Sequence, residues 1–174
     1  DFYMKYPELQ EKKIILFAPT YRGAEQKYAY YDYSKLDFQR IYEFCQKEDA
    51  VFLIKMHPFV KTLPEIPEFL QDRIREFSRF SDINKLYYVT DLLITDYSSN
   101  YFEYALLQRP VVFYTYDREF YELTRGVHRS ILESAPGKVC DTFDQLMECL
   151  EQKDFETEKI IQFAKDNFGG SGNR

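Results

Sequence analysis

Two short segments hold the residue types that phosphate chemistry needs. The first is Thr95-Asp96-Tyr97-Ser98-Ser99, which follows the apolar run 92–94 and precedes a segment, residues 100–107, that reads as a helix. A strand that ends in a polar turn and runs into a helix is an anion site in outline. The first amides of a helix lack intrahelical partners, and the helix dipole adds positive charge there. The hydroxyls of Ser98 and Ser99 can bond phosphate oxygens, or they can cap the helix. The second segment is Lys55-Met56-His57-Pro58, just past another apolar run. Residues two apart share one side while a strand lasts, so Lys55 and His57 form a cation–imidazole pair suited to a pyrophosphate or a departing phosphate. A lone strand-end histidine more often caps a carbonyl. The neighbouring lysine puts the ligand reading of His57 ahead.

Further candidates surround these. Arg22, after Pro19-Thr20, can fork onto phosphate oxygens, against the commoner fate of a solvated loop arginine. Asp96 either orders its turn through its own side chain or meets the ligand. Glu103, one turn into the expected helix, either accepts ribose hydroxyls or completes a capping box with Asn100. Arg125-Gly126 and His128 fall in a long loop, where His128 reads as a surface residue. The chain contains no Gly-rich P-loop, no GxGxxG and no GxSxG. ATPase, dinucleotide dehydrogenase and hydrolase readings therefore lose their usual support. No carboxylate cluster has metal-ligand spacing, so no metal and no cofactor is assigned.

Elements must hold these residues in place. Residues 13–18 read as a continuous apolar strand ended by Pro19, with a Tyr-rich polar loop over 20–34. A helix is predicted over 36–47, from the spacing of Leu36, Ile41, Phe44 and Cys45. A second strand covers 51–56, and a proline-marked loop covers 59–67. Then come a short strand at 74–77, a helix over 83–89 capped by Ser81 or Asp82, and strands over 92–95 and 110–114. A loop runs from there through Arg125-Gly126 and Pro136-Gly137. Helices close the chain over 143–151 and 155–166. Unbroken apolar strands alternating with helices predict an α/β fold, a Rossmann-like parallel sheet with helices on both faces. Ligands of such sheets bind at the C-terminal strand ends. Those ends carry Pro19-Thr20-Tyr21-Arg22, Lys55-Met56-His57-Pro58, Thr95-Asp96-Tyr97-Ser98-Ser99 and Tyr114-Thr115-Tyr116-Asp117, which are expected to converge on one crevice.

Composition narrows the function. The 174 residues carry a net charge of −6, which opposes a nucleic-acid surface built on clustered Lys and Arg. The length suits one domain. No apolar run approaches a membrane span. Cys45, Cys140 and Cys149 lack metal or disulfide spacing and read as reduced cytosolic thiols. The first residue is Asp1, and the last stretch is Gly169-Gly170-Ser171-Gly172-Asn173-Arg174, so a domain cut from a longer protein is expected.

In order along the chain stand Phe17-Ala18-Pro19-Thr20-Tyr21-Arg22, Lys55-Met56-His57-Pro58, Asp82-Ile83-Asn84 and Leu93-Ile94-Thr95-Asp96-Tyr97-Ser98-Ser99. Phe102-Glu103, Arg109-Pro110-Val111-Val112-Phe113-Tyr114, Tyr116-Asp117, Arg125-Gly126 and Ala135-Pro136-Gly137 come after them. The ordered set resembles the CDP-glycerol glycerophosphotransferase family, the teichoic acid and capsule polymerases. His128 and Lys138 depart from the family's pattern. The resemblance implies the C-terminal, donor-binding half of a glycosyltransferase-B-type enzyme. It implies donor contacts at Pro19, Thr20, Lys55, Met56, His57, Ser98, Ser99 and Glu103, with Asp96 and Arg125 as further candidates. The implied reaction is attack of an acceptor hydroxyl on the β-phosphorus of CDP-glycerol with release of CMP, His57 assisting. A missing N-terminal half then supplies a second histidine and a lipid-linked polyol-phosphate acceptor. The whole protein is expected in the cytoplasm, peripheral at the inner membrane face.

Other readings stay open. The same fold can take CDP-ribitol or a nucleotide sugar. The chain can also be a nucleotide-binding module without catalysis. A purely structural interaction domain leaves the ordered strand-end motifs as coincidence.

Overall fold

Apolar runs bounded by prolines and polar turns form strands here, and the four inner strands are buried apart from Lys13. In the computed structural model, which describes residues 1–97, 101–125 and 130–169, six strands form one sheet in the order β3-β2-β1-β4-β5-β6. They are β1 Lys13–Phe17, β2 Ala50–Ile54, β3 Ile74–Glu76, β4 Leu92–Thr95, β5 Val111–Tyr114 and β6 Lys138–Cys140. The registered pairs β1/β2, β2/β3 and β5/β6 are parallel. This is the α/β architecture expected, and its strand order is that of the doubly wound dinucleotide-binding fold. No helix among the described residues is long and apolar enough to cross a membrane.

The chain divides into two compact units, Asp1–Leu93 and Ile94–Arg174. In the first, every residue of β2 is buried, as is β1 after Lys13, which explains why neither alternates. Between them, α2 (Phe38–Glu48) buries Ile41, Phe44 and Cys45. The helix was expected from residue 36. Leu36 is instead extended, and Asp37 caps the helix by accepting the Arg40 amide at 3.2 Å. A short helix, α1 (Phe2–Lys5), opens the unit, and α3 (Ile83–Val89) has the predicted bounds. The Asp82 carboxylate caps α3, accepting the Lys85 amide. The Asp91 carboxylate and amide both bond Ile14, each at 2.8 Å, which ties the approach to β4 onto β1.

The second unit departs further from expectation. The loop between β5 and residue 143 contains helix α5 (Arg118–Arg125), the single turn α6 (Ile131–Ser134) and strand β6. Their signals are weak for a physical reason. Phe120 and Leu123 on α5 stay 68% and 83% exposed, and β6 is too short to show a period. Gly137 lets β6 begin: a Cβ there meets the Val111 carbonyl oxygen at 2.0 Å. The expected helix over 100–107 is one turn, α4 (Phe102–Ala105), with Tyr101 at its cap and no side-chain cap bond. Asn100 lies outside the described residues. Helices α7 (Phe143–Gln152) and α8 (Thr157–Ala164) match the remaining forecast within a few residues.

Candidate functional site

In the first unit, β1 ends where Pro19 removes a donor. Pro19 is buried and Thr20 half-buried. Arg22 is not a solvated loop arginine, because only 5% of it is exposed. Its Nη1 donates to the Thr20 carbonyl at 2.9 Å and to Thr20 Oγ1 at 3.3 Å. The guanidinium lies 5.2 Å from the Tyr31 ring centre. Its backbone pairs with Tyr30 in both directions. Arg22 thus buttresses the turn that carries Thr20.

Strand β2 ends at Ile54, one residue before Lys55, so the strand does not set the directions of Lys55 and His57. Lys55 Nζ donates to the Ser78 carbonyl at 3.0 Å, and Ser78 Oγ accepts the Met56 amide at 2.9 Å. The Met56 side chain is in the core, 1% exposed. Burial pulls the Lys55 ammonium below the ordinary lysine value, against the pull of Glu76.

His57 is clamped. Its ring centre lies 4.9 Å from that of Tyr21 and 4.4 Å from that of Phe59. The Phe59 amide donates to Nδ1 at 3.0 Å, and the His57 carbonyl accepts the Val60 amide at 2.9 Å. An imidazole that accepts at Nδ1 carries its proton on Nε2 when neutral. Burial lowers the His57 pKa below 6.5, and the Lys55 charge lowers it further. The arrangement therefore makes His57 a neutral Nε2–H donor near pH 7. It is poorly placed to be a general base, since Nδ1 is occupied and Nε2 protonated.

In the second unit, Asp96 is 1% exposed, and its Oδ1 accepts the Tyr97 amide at 2.7 Å. The carboxylate thus orders its own turn. Tyr97 stacks on Tyr121 at 3.7 Å with 9° between rings, and its hydroxyl donates to Asp117 Oδ1 at 2.7 Å. A second network is centred on Asp141. Asp141 accepts Thr115 Oγ1 at 2.8 Å and takes two bonds from Arg118, from Nε and Nη2, each at 3.0 Å. Burial raises the Asp141 pKa, but the Arg118 and Thr115 bonds prevail and hold it below the ordinary value. Glu122 accepts the Ser130 hydroxyl at 3.1 Å and the Ile131 amide at 2.7 Å, clipping α6 to α5.

Glu103 is exposed in the first turn of α4. A single turn has little macrodipole, so the helix-dipole part of the anion argument loses its force. Ser98, Ser99, Gly126 and His128 lie outside the described residues. So does the side chain of Arg125, whose backbone ends α5. Among the described residues, no group of three or more His, Cys, Asp or Glu side chains could hold a metal ion. Tyr21, Phe59 and Tyr121 were not among the sequence candidates. Tyr21 and Tyr97 sit at strand ends already singled out, so position alone could have flagged them. The Arg118–Asp141 pair has no sequence signal.

Similarity to known proteins covers the same residues. The chain is 42% identical over 162 residues to the teichoic acid ribitol-phosphate polymerase TarL of Staphylococcus aureus, covering 93% of this chain and 29% of that protein. It is 36% identical over 176 residues to a teichoic acid glycerol-phosphate primase of Bacillus spizizenii, covering 99% of this chain and 44% of the relative. Among solved structures, the wall teichoic acid polymerase TagF, as a histidine-to-asparagine variant soaked with CDPG, superposes with a TM-score of 0.75 at 26% identity. That match covers 94% of this chain and 41% of the other. The chain spans less than half the length of each of these proteins. The family model for CDP-glycerol:poly(glycerophosphate) glycerophosphotransferase matches residues 3–169, and the chain belongs to that family.

Proposed function

We propose that this chain is the donor-binding part of a polyol-phosphate transferase. It holds a CDP-linked polyol while polyol phosphate passes to a teichoic-acid-type acceptor and CMP leaves. The observation that carries the reading is the clamped, neutral His57 beside Lys55, in a chain that matches this family along nearly its whole length. In the reaction, an acceptor hydroxyl oxygen bonds to the β-phosphorus and the bridging P–O bond breaks toward CMP. Negative charge grows on the departing phosphate. Such a step depends on positioning and charge neutralisation. His57 Nε2–H donates to a phosphate oxygen of the leaving group. Lys55 supplies an ammonium with two further donors beyond its bond to Ser78. The Thr20 turn, stiffened by Arg22, adds donors for the diphosphate. The base that takes the acceptor proton comes from outside this chain. The acceptor is lipid-linked and its reacting end is held there too, which puts transfer at the inner membrane face.

CDP-ribitol and CDP-glycerol are both candidate donors, since the relatives include ribitol-phosphate and glycerol-phosphate enzymes. Calorimetric titration with CDP-ribitol, CDP-glycerol, CMP and UDP-glucose tests this. Cytidine-selective binding, weakened by His57→Ala and Ser98→Ala, is the expected result. UDP-glucose binding as tightly as the CDP-polyols overturns the reading. So does a longer, active enzyme whose CDP-polyol affinity ignores both substitutions.

A further inference from the structure

The cleft of about 690 Å³ in the first unit is unused by any role assigned so far. Its size falls in the range of ligand pockets. One wall is a cluster of rings, Phe2, Tyr6, Phe77 and Phe80. Tyr6 and Phe77 are 4.9 Å apart, and Phe2 and Phe80 are 5.8 Å apart. These rings fill the space between one another at tilted or edge-on angles, or stacked at 5.8 Å for Phe77 and Phe80. Packed on one another, they form an apolar wall against which carbon chains can lie.

Cations line the cleft as well. Arg75 is held by Glu8 at 3.0 Å. Arg79 and Lys85 are exposed and have no ion pair among the described residues, and Lys5 sits 5.7 Å from the Tyr6 ring centre. The carboxylates in the lining are tied to amides. Asp1 accepts from Tyr3, Glu76 from Ser78 and Asp82 from Lys85. Separated cations beside a wall that takes CH groups suit a flexible chain of repeating phosphodiesters, which a compact nucleotide does not exploit. The cleft also adjoins the reaction stretch. Ser78, which holds Lys55 through its carbonyl and the Met56 amide through its hydroxyl, immediately precedes Arg79.

We infer that this cleft binds a polyol-phosphate chain, with Arg79 and Lys85 on its phosphodiesters and the Tyr6–Phe80 wall against its carbon backbone. The inference rests on the transferase reading for the identity of the chain, and on the cleft alone for its chemistry. The test is titration of this protein with a short poly(ribitol phosphate) oligomer, comparing wild type with Arg79→Glu/Lys85→Glu and with Arg79→Gln/Lys85→Gln. CDP-ribitol binding and a thermal melt are measured beside it. Both positions are exposed, so the fold is expected to survive. At least tenfold weaker oligomer binding in the charge-reversed form, a smaller loss in the neutral form and a flatter salt dependence are expected, with CDP-ribitol affinity unchanged. Oligomer affinity that ignores both substitutions overturns the inference. Binding of phosphatidylglycerol vesicles in place of the oligomer, lost in the same variants, also overturns it and reassigns the cleft to lipid headgroups. If CDP-polyols fail to bind while the oligomer binds through Arg79 and Lys85, the donor reading falls and the cleft stands.

Discussion

At the scale of single residues, His57 shows how a side chain of ambiguous type acquires a defined role. An imidazole can donate, accept or carry charge. The Phe59 amide settles which, by occupying Nδ1. Burial and the Lys55 charge then favour the neutral ring. The folded pKa lies below that of the unfolded chain, so protonation costs stability. Stability is unaffected above about pH 6.5 and falls as the pH drops toward the folded value. A histidine-resolved NMR titration is expected to show a midpoint below 6.5, with Nε2 protonated in the neutral form; a midpoint above 6.5 contradicts this environment. In a longer, active enzyme, His57→Ala is expected to lower the rate of CMP release by roughly 100-fold or more while the melting temperature barely moves. His57 was legible from its strand-end position. The clamp was not, because it depends on the turn that brings an amide two residues on back to the ring.

At the scale of elements, the second unit is held by contacts that no periodic pattern announces. Strand β6 exists because Gly137 passes against Val111. Gly137→Ala is expected to cost about 3 kcal/mol or more, since backbone rather than a flexible side chain opposes the new methyl; chemical denaturation reads the loss. The Arg118–Asp141 pair joins α5 to the end of β6. Its carboxylate is about a third exposed, so Asp141→Asn is expected to cost only about 1 kcal/mol at pH 7. The Asp141 pKa is depressed from 3.8, so its contribution is present above that value and is lost as pH falls through the folded pKa. Melts of wild type and Asp141→Asn are therefore expected to converge in acid, and a gap that persists there assigns the effect to something other than the ion pair. Lys138, on strand β6, pairs with Asp154 at 3.1 Å and Glu156 at 3.4 Å.

At the scale of the whole molecule, this chain belongs to a family of transferases yet spans less than half the length of the relatives compared. The mechanism proposed asks it to bind and orient a donor, with the acceptor base elsewhere. The chain by itself is therefore expected to bind CDP-polyol and release no CMP, while a longer enzyme releases it in an acceptor-dependent way; turnover by this chain alone overturns that division of labour.

Strand and helix identity in the first unit came from local physics. Continuous apolar runs at β1 and β2 must be covered on both faces, Pro19 bars β1 from continuing, and Asp82 must cap the helix that begins at Ile83. The family could likewise be read from ordered strand-end motifs, because those motifs are short and contiguous. Tertiary structure decided what depends on distance in space. It turned Arg22 inward onto Thr20 and Tyr31, carried Lys55 to Ser78, reduced α4 to one turn and built β6 from three residues beside a glycine. Each of these outcomes depends on a partner distant in sequence or on backbone geometry that no local pattern encodes, and a backbone polar group or buried charge takes whichever partner the fold supplies.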